Sequence, residues 1–393
     1  MKVERLCKQG RRCANGEDEE MIEGSKEMIL ITGISGRIGY TLAKRLVEQQ
    51  QSFKVIGFDL KTASRSPAGV ECLYVDLTDE ESTRQGLQAI RDLHGDHIAS
   101  VIHLAAYYDF SGAPSPLYDK VTVGGTKRLL RLLQDFKVEQ FIFSSTILVQ
   151  APSKHGVRIN EDSPLDILSN WAYPKSKIQA EQAIDAERGN IPVVILRIAG
   201  VYDDLCHSIP LALQIQRIYE RDPVAYFSPG DPTAGRQPYV HNDDVVDAIL
   251  LAFSRRKELP AEVVLLIGET ESLSYDELQR AFGQLIHSAE WNTRAIPPLV
   301  AKTAVRVLKF LELGRASSIA PWMIDVSQDN IELDVSRAGA ILGWKPQHSL
   351  RDTLPKMVSG LKADPIMWYH ENELKLPHWL RKQIPVAASM RIR

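Results

Sequence analysis

The chain has 393 residues, 44% of them hydrophobic and 25% charged, with a formal net charge of −3. That length and composition allow a large core and one to three domains, and they exclude the global basic field that draws nucleic acid. Four cysteines, Cys7, Cys13, Cys72 and Cys206, fall without C-x-x-C spacing; they give neither a disulfide framework nor a metal site, and fit a reducing, cytoplasmic setting.

Residues 1–27 are dense in charge, basic first (Lys2, Arg5, Lys8, Arg11, Arg12) and then acidic (Glu17, Asp18, Glu19, Glu20). They read as a solvated extension with no secretory leader, or as residues upstream of a start at Met21 or Met28. No run approaches the ~18–20 consecutive apolar residues of an integral membrane segment. From residue 28 the pattern changes. Short apolar strands are expected at 28–32, 53–58, 70–75, 100–104, 140–143 and 192–196, alternating with helical stretches at 38–49, 80–92, 117–136 and 171–186. The alternation predicts an α/β fold, a doubly wound parallel sheet covered on both faces. Beyond residue 199 the regularity loosens. A loop is expected at 228–238, a helix at 243–254, a strand returning to the sheet at 263–267, and a helix at 275–286 opened by a Ser274/Glu277 capping box. The domains so defined are a cofactor-binding half at 28–199, a smaller, mostly helical substrate lobe at 200–375 and a tail at 376–393.

Thr32-Gly-Ile-Ser-Gly-Arg-Ile-Gly39 joins the first strand to the first helix. Its glycines permit a tight turn and close approach of backbone to a pyrophosphate, and the helix N-terminus offers N–H groups to the phosphates. The spacing is G-x-x-G-x-x-G and not G-x-G-x-x-G. Asp59, at the end of the second strand, is placed to accept from ribose hydroxyls and to repel a 2′-phosphate, which favours NAD over NADP; Arg37 and Lys61 lie close enough to soften that preference. Further on, Tyr173 and Lys177 stand at i and i+4, one face of a helix. A nearby ammonium is expected to lower the tyrosine pKa and fit it for proton exchange with an alcohol or carbonyl. Ser145 or Thr146, at the end of the preceding strand, is placed to bond the reacting oxygen.

Together these residues resemble an extended short-chain dehydrogenase/reductase of the NAD-dependent epimerase/dehydratase group. Matching stretches occur in order across roughly residues 28–357: 32–39, Asp59, Asp76-Leu77, His103-Leu-Ala-Ala106, Ser144-Ser-Thr146, Tyr173/Lys177, 196–202, 239–245, 334–338 and 342–346. The resemblance implies NAD held by Gly33, Ser35, Gly36, Arg37, Ile38 and Gly39, with Asp76 and Leu77 flanking the adenine. It implies Leu104, Ala105 and Ala106 as cofactor lining, with His103 a buried structural residue. Thr146 would hold the substrate oxygen, Tyr173 would be the acid/base, and Lys177 would orient the nicotinamide ribose. It also implies a homodimer paired through two helices, one of them carrying Tyr173 and Lys177.

Departures from the family pattern bear on the substrate. Thr122 replaces an asparagine, Gln150 a tyrosine, and Gly200 the asparagine that contacts nucleotide sugars; Gly200 is closer to the hydroxysteroid-dehydrogenase branch. Arg236, five residues ahead of His241 instead of four, is a candidate substrate contact for an anion or else a solvated loop residue. Ile147-Leu148 stand where dehydratases carry an acidic pair, which disfavours dehydration. A dehydrogenase, a nucleotide-sugar epimerase retaining NAD, and a non-enzymatic NAD sensor or scaffold remain as readings; the intact Tyr/Lys pair argues against the last. Residues 299–313 predict an apolar helix with Lys302, Arg306 and Lys309 on one stripe, either a core helix with a solvated basic edge or a membrane-surface helix. Trp368, Tyr369 and Trp379 are expected to dock the C-terminal segment on the body.

Overall fold

The computed structural model describes residues 27–49, 53–61, 67–154, 156–167, 171–310, 323–324 and 327–382. The predicted extension, apart from Glu27, and the end of the tail lie outside the described residues, as do Cys7, Cys13 and residues 311–313. Among the described residues, Cys206 is a buried free thiol.

Eight strands form one parallel sheet: β1 (Glu27–Thr32), β2 (Phe53–Asp59), β3 (Glu71–Tyr74), β4 (His97–His103), β5 (Lys137–Val138), β6 (Phe141–Thr146), β7 (Val193–Ile198) and β8 (Glu262–Ile267). The order across the sheet is β8-β7-β6-β4-β1-β2-β3, with β5 short and beside β4. β1 shows why such strands read as unbroken apolar runs. Ile29 and Ile31 enter the core on one face, while Met28 and Leu30 enter the core on the other, so the period of two leaves no solvent side. β8 returns late in the chain to pair with β7, as its apolar run predicts.

Helices α1 (Arg37–Gln49), α2 (Glu80–His94), α3 (Gly124–Leu133), α4 (Ala172–Glu187) and α6 (Asn242–Ser254) supply the crossovers and cover the faces. The expected helix at 117–136 divides. Tyr118–Val123 is a π-helical turn and α3 begins only at Gly124. A pair of glycines, 124 and 125, marks the change, and Gly125 lies so close to Leu77 that an added Cβ would fall 3.3 Å from its side chain.

A separate apolar cluster gathers α5 (Ile209–Tyr219), α7 (Tyr275–His287), and the helices Leu350–Ala363 and Pro365–Glu371. The capping box is present: Glu277 N donates to Ser274 Oγ, and Ser274 N donates to the Glu277 carboxylate. Trp368 and Tyr369 are fully buried, whereas Trp379 is 44% exposed and rests on Tyr219. The docking assigned to the aromatic residues therefore falls mainly on the first two. Helix α8 (Pro298–Phe310) buries Ala301 and Val305 but leaves Leu299, Val300 and Val307 outward. It is thus a core helix on one side only. Among the described residues no helix is long and apolar enough to cross a membrane.

Candidate active site

The glycine turn sits at the C-terminal ends of β1 and β4. Gly33 has φ +73°, and a Cβ there would fall 2.8 Å from Ala105 N; one on Gly39 would fall 2.5 Å from Gly33 O. The first position needs left-handed backbone and the second lets α1 approach the turn, so both require glycine. Asp59 fastens the loop. Its carboxylate accepts from Ser35 N at 2.9 Å and from Lys61 N at 3.1 Å, placing a negative charge beside the start of α1. Backbone closeness at Gly33 and Gly36 together with this carboxylate is the cradle a dinucleotide requires, and the residues present fit one. Arg37 and Ile38, the first residues of α1, face a large cavity. Arg37 also contacts Asp203 and the Glu371 carbonyl. Asp76 accepts from the backbone and hydroxyl of Thr78, and Leu77 is buried between this turn and Gly125.

That cavity, about 1350 Å³, opens along the sheet's C-terminal edge, where doubly wound sheets bind ligands. It brings together Leu104, Ala106, Thr146, Tyr173, Lys177 and Gly200 with Arg37 and Ile38. Ala105 lies just behind, against Gly33, and donates its N–H to Thr32 Oγ1. His103 is fully buried between Thr32 and Thr126, one ring nitrogen on each hydroxyl at 2.7 and 3.0 Å. Burial first, and then the Lys177 charge, push it down to about 3; it is a neutral structural residue.

Thr146 ends β6 with extended backbone and caps the 3-10 turn Ile147–Val149, accepting from Leu148 N. Its hydroxyl also favours the ionised form of the Tyr173 phenol. Tyr173 stands in the first turn of α4, where Pro174 removes no needed N–H. Tyr108 packs edge-on to its ring at 4.9 Å and Trp171 lies at 5.9 Å. Burial raises the Tyr173 pKa to about 12, against the pull of Thr146. The sequence expectation was the reverse, a phenol lowered by Lys177. The reason for the difference is desolvation of the phenol, together with the direction of the lysine: Lys177 Nζ donates to Ser144 O at 2.6 Å and lies 4.7 Å from the Phe143 ring centre. Burial pushes Lys177 down to about 7, with Glu181 opposing.

Because Lys177 titrates near pH 7 in the folded chain and at 10.5 when unperturbed, the unfolded state holds more protons between those values. This lysine therefore makes stability rise with pH over that window, by at most about 1.4 kcal/mol per unit. Lys177→Met is expected to flatten the rise, read from urea midpoints at pH 7 and pH 10. Parallel profiles for variant and wild type would remove Lys177 as the cause.

Arg236 is a correction. It does not line the cavity: its guanidinium donates to Ser272 O at 2.6 Å and pairs with Glu277 at 3.0 Å. The capping carboxylate of α7 captures it, and the arginine that lines the cavity from this part of the chain, in addition to Arg37 and Lys177 elsewhere, is Arg217 on α5. Gly200 lines the cavity as expected, but a Cβ there would fall 2.9 Å from the Tyr239 ring, so the ring closes off the space an asparagine would occupy. Gln150 is buried and donates to the Asn160 carbonyl. Much of the remaining wall went unnoticed in the sequence. It includes Tyr107, Tyr108 and Phe110 after β4, Trp171 before α4, Leu213 on α5, and Ala301 and Val305 on α8. The run Tyr107-Tyr-Asp-Phe110 directly after a strand end was the available signal.

A family model described as the NAD dependent epimerase/dehydratase family matches residues 29–268. The chain is 24% identical over 355 residues to the UDP-glucuronate 4-epimerase of Thermodesulfobacterium geofontis, covering 85% of this chain and 96% of that one. It is 28% identical over 193 residues to the mouse (Mus musculus) 3 beta-hydroxysteroid dehydrogenase type 7, covering 44% of this chain and 50% of that one. Among solved structures it resembles the UDP-glucuronic acid 4-epimerase from Bacillus cereus, crystallised with UDP-glucuronic acid and NAD. The TM-score is 0.63 at 21% identity, over 86% of this chain and 99% of the other.

Proposed function

The chain belongs to the NAD dependent epimerase/dehydratase family, with NAD as its cofactor, and from that premise we propose that it interconverts a ketone and a secondary alcohol on a large, mainly apolar substrate. NAD supplies the hydride acceptor and, when reduced, the hydride donor. Residues 28–199 hold the cofactor, and 200–375 shape the substrate compartment. Gly33, Ser35, Gly36, Arg37, Ile38 and Gly39 wrap the pyrophosphate, and Asp59 takes the adenosine ribose hydroxyls. Asp76 and Leu77 flank the adenine, and Leu104, Ala105 and Ala106 line the cofactor further along. Lys177 orients the nicotinamide ribose. Thr146 donates to the substrate oxygen. Tyr173, a protonated phenol at neutral pH, gives its proton to that oxygen as the carbonyl is reduced, and takes the hydroxyl proton in the reverse direction.

The reading rests on one observation: the space beside Tyr173 is walled chiefly by aromatic and aliphatic side chains. A nucleotide sugar would instead ask for a row of polar partners, and Gly200 beneath Tyr239 leaves no room for one of them. Nucleotide-sugar epimerisation is the second reading, favoured by the likeness to UDP-glucuronate 4-epimerase over 85% of the chain. A substrate panel separates the two, following the absorbance of reduced cofactor with polycyclic hydroxy and keto compounds and assaying products from UDP-glucose and UDP-glucuronate. Redox turnover of the apolar compounds is expected. Conversion of a UDP-sugar without net redox change would replace the dehydrogenase reading. A cytoplasmic homodimer paired through α4 accompanies this proposal, on the strength of the family resemblance; light scattering tests the pairing.

A further inference from the structure

Helix α8 is apolar on two sides. Ala301 and Val305 are buried toward the cavity, beside Ile296 and Ile324. On the outer side Leu299, Val300 and Val307 are 73%, 53% and 49% exposed. With Thr303 and Ala304 they line a shallow depression. At about 100° per residue these five positions form one continuous stripe, and Lys302 and Arg306 fall along a single edge of it. A solvent-facing stripe would ordinarily be polar; an apolar one with a cationic margin marks an interaction surface.

The charge of the helix selects the partner. It carries Lys302, Arg306 and Lys309 and no acidic residue, in a chain whose net charge is −3. Two copies meeting through this face with α8 antiparallel about a two-fold axis would bring like-charged edges together. An anionic lipid surface satisfies the apolar stripe and the cations at once. Ala304 borders both the outer depression and the cavity, so the stripe is continuous with the cavity wall.

We propose that this face of α8 docks on an anionic lipid surface. Leu299, Val300 and Val307 enter the boundary between headgroups and acyl chains, and Lys302 and Arg306 lie against lipid phosphates. Docking of this kind holds one cavity wall where an apolar substrate is concentrated; that consequence rests on the substrate proposed above, whereas the docking itself does not.

Sedimentation of the full chain with vesicles tests it without any turnover. Binding to phosphatidylcholine mixed with phosphatidylglycerol is expected to be at least about tenfold tighter than to phosphatidylcholine alone at low ionic strength, and to weaken in high salt. The double variant L299S/V307S is expected to weaken binding to the mixed vesicles about tenfold. Arg306→Glu is expected to reduce the salt dependence, and both variants to keep the wild-type NAD affinity as a sign of intact folding. Binding to neither vesicle type, equal binding to both, or variants that bind like the wild type each overturns the proposal. So does a dimer in light scattering that L299S/V307S dissociates, because the face then belongs to a second copy.

Discussion

Tyr173→Phe is expected to lower kcat by about 10²–10⁴-fold while the affinity for NAD stays within about twofold. The phenol oxygen is the proton-carrying atom of Tyr173, which lines the cavity together with Thr146. Removing it deletes one oxygen and leaves the ring, so its contacts with Tyr108 and Trp171 persist. Cofactor contacts proposed for the glycine turn, Asp59 and Lys177 are untouched. The Thr146 hydroxyl, which accepts from Leu148 N, remains for the substrate contact proposed above, but a threonine hydroxyl is too weak an acid or base to replace the phenol. With its pKa raised to about 12, Tyr173 stays protonated at neutral pH and acts first as a donor. The rate loss should therefore appear in full when ketone reduction is measured. Steady-state kinetics in that direction and a fluorescence titration with NAD make the comparison. Full turnover in the variant would remove Tyr173 from the chemistry, and lost NAD binding would make it a cofactor contact instead.

Local patterns made the sheet and its glycine turn readable. β1 is an unbroken apolar run because both of its faces are buried, and Gly33 and Gly39 are glycines because a Cβ would meet backbone atoms. Both constraints act within a few residues and leave a mark in the sequence. The large cavity was less legible for a physical reason. Its wall gathers side chains from Tyr107, Trp171, Arg217, Tyr239 and Val305, and no local period records that they meet. Arg236 shows the same limit: the Ser274/Glu277 cap was visible in the sequence, but capture of an arginine by Glu277 across the small β-bridge at Arg236 and Ser274 was not. The π-helical turn at Tyr118–Val123 escaped because a 3.6-residue period continues through it. The direction of the Tyr173 shift escaped because spacing places a lysine nearby but says nothing of desolvation, which dominates at this site.

The residues beneath Tyr173 and Lys177 carry the largest expected effect on stability. Glu181, one turn beyond Lys177 on α4, is buried, and its two carboxylate oxygens accept from Arg197 Nε at 3.2 Å and from another guanidinium nitrogen at 2.8 Å. Ser145 donates to the same carboxylate, and Arg197 also donates to the Glu161 carbonyl at 3.2 Å. Such a pair contributes little relative to apolar neighbours of the same shape, but breaking it on one side strands a charge. Glu181→Leu leaves Arg197 buried beside an apolar side chain and Ser145 without its acceptor. The expected loss is about 3–5 kcal/mol, read as a lower urea midpoint at unchanged slope. The double variant Glu181→Leu/Arg197→Met removes both charges and is expected to recover most of that loss, since the stranded guanidinium is its main cause. Glu181 is also the group that favours the charged form of Lys177. Without it the ammonium is held less well, and the Lys177 titration moves below pH 7 in both variants. A single variant as stable as the wild type would show that Arg197 finds water or another partner on its own, and a double variant no better than the single would place the loss in packing rather than charge.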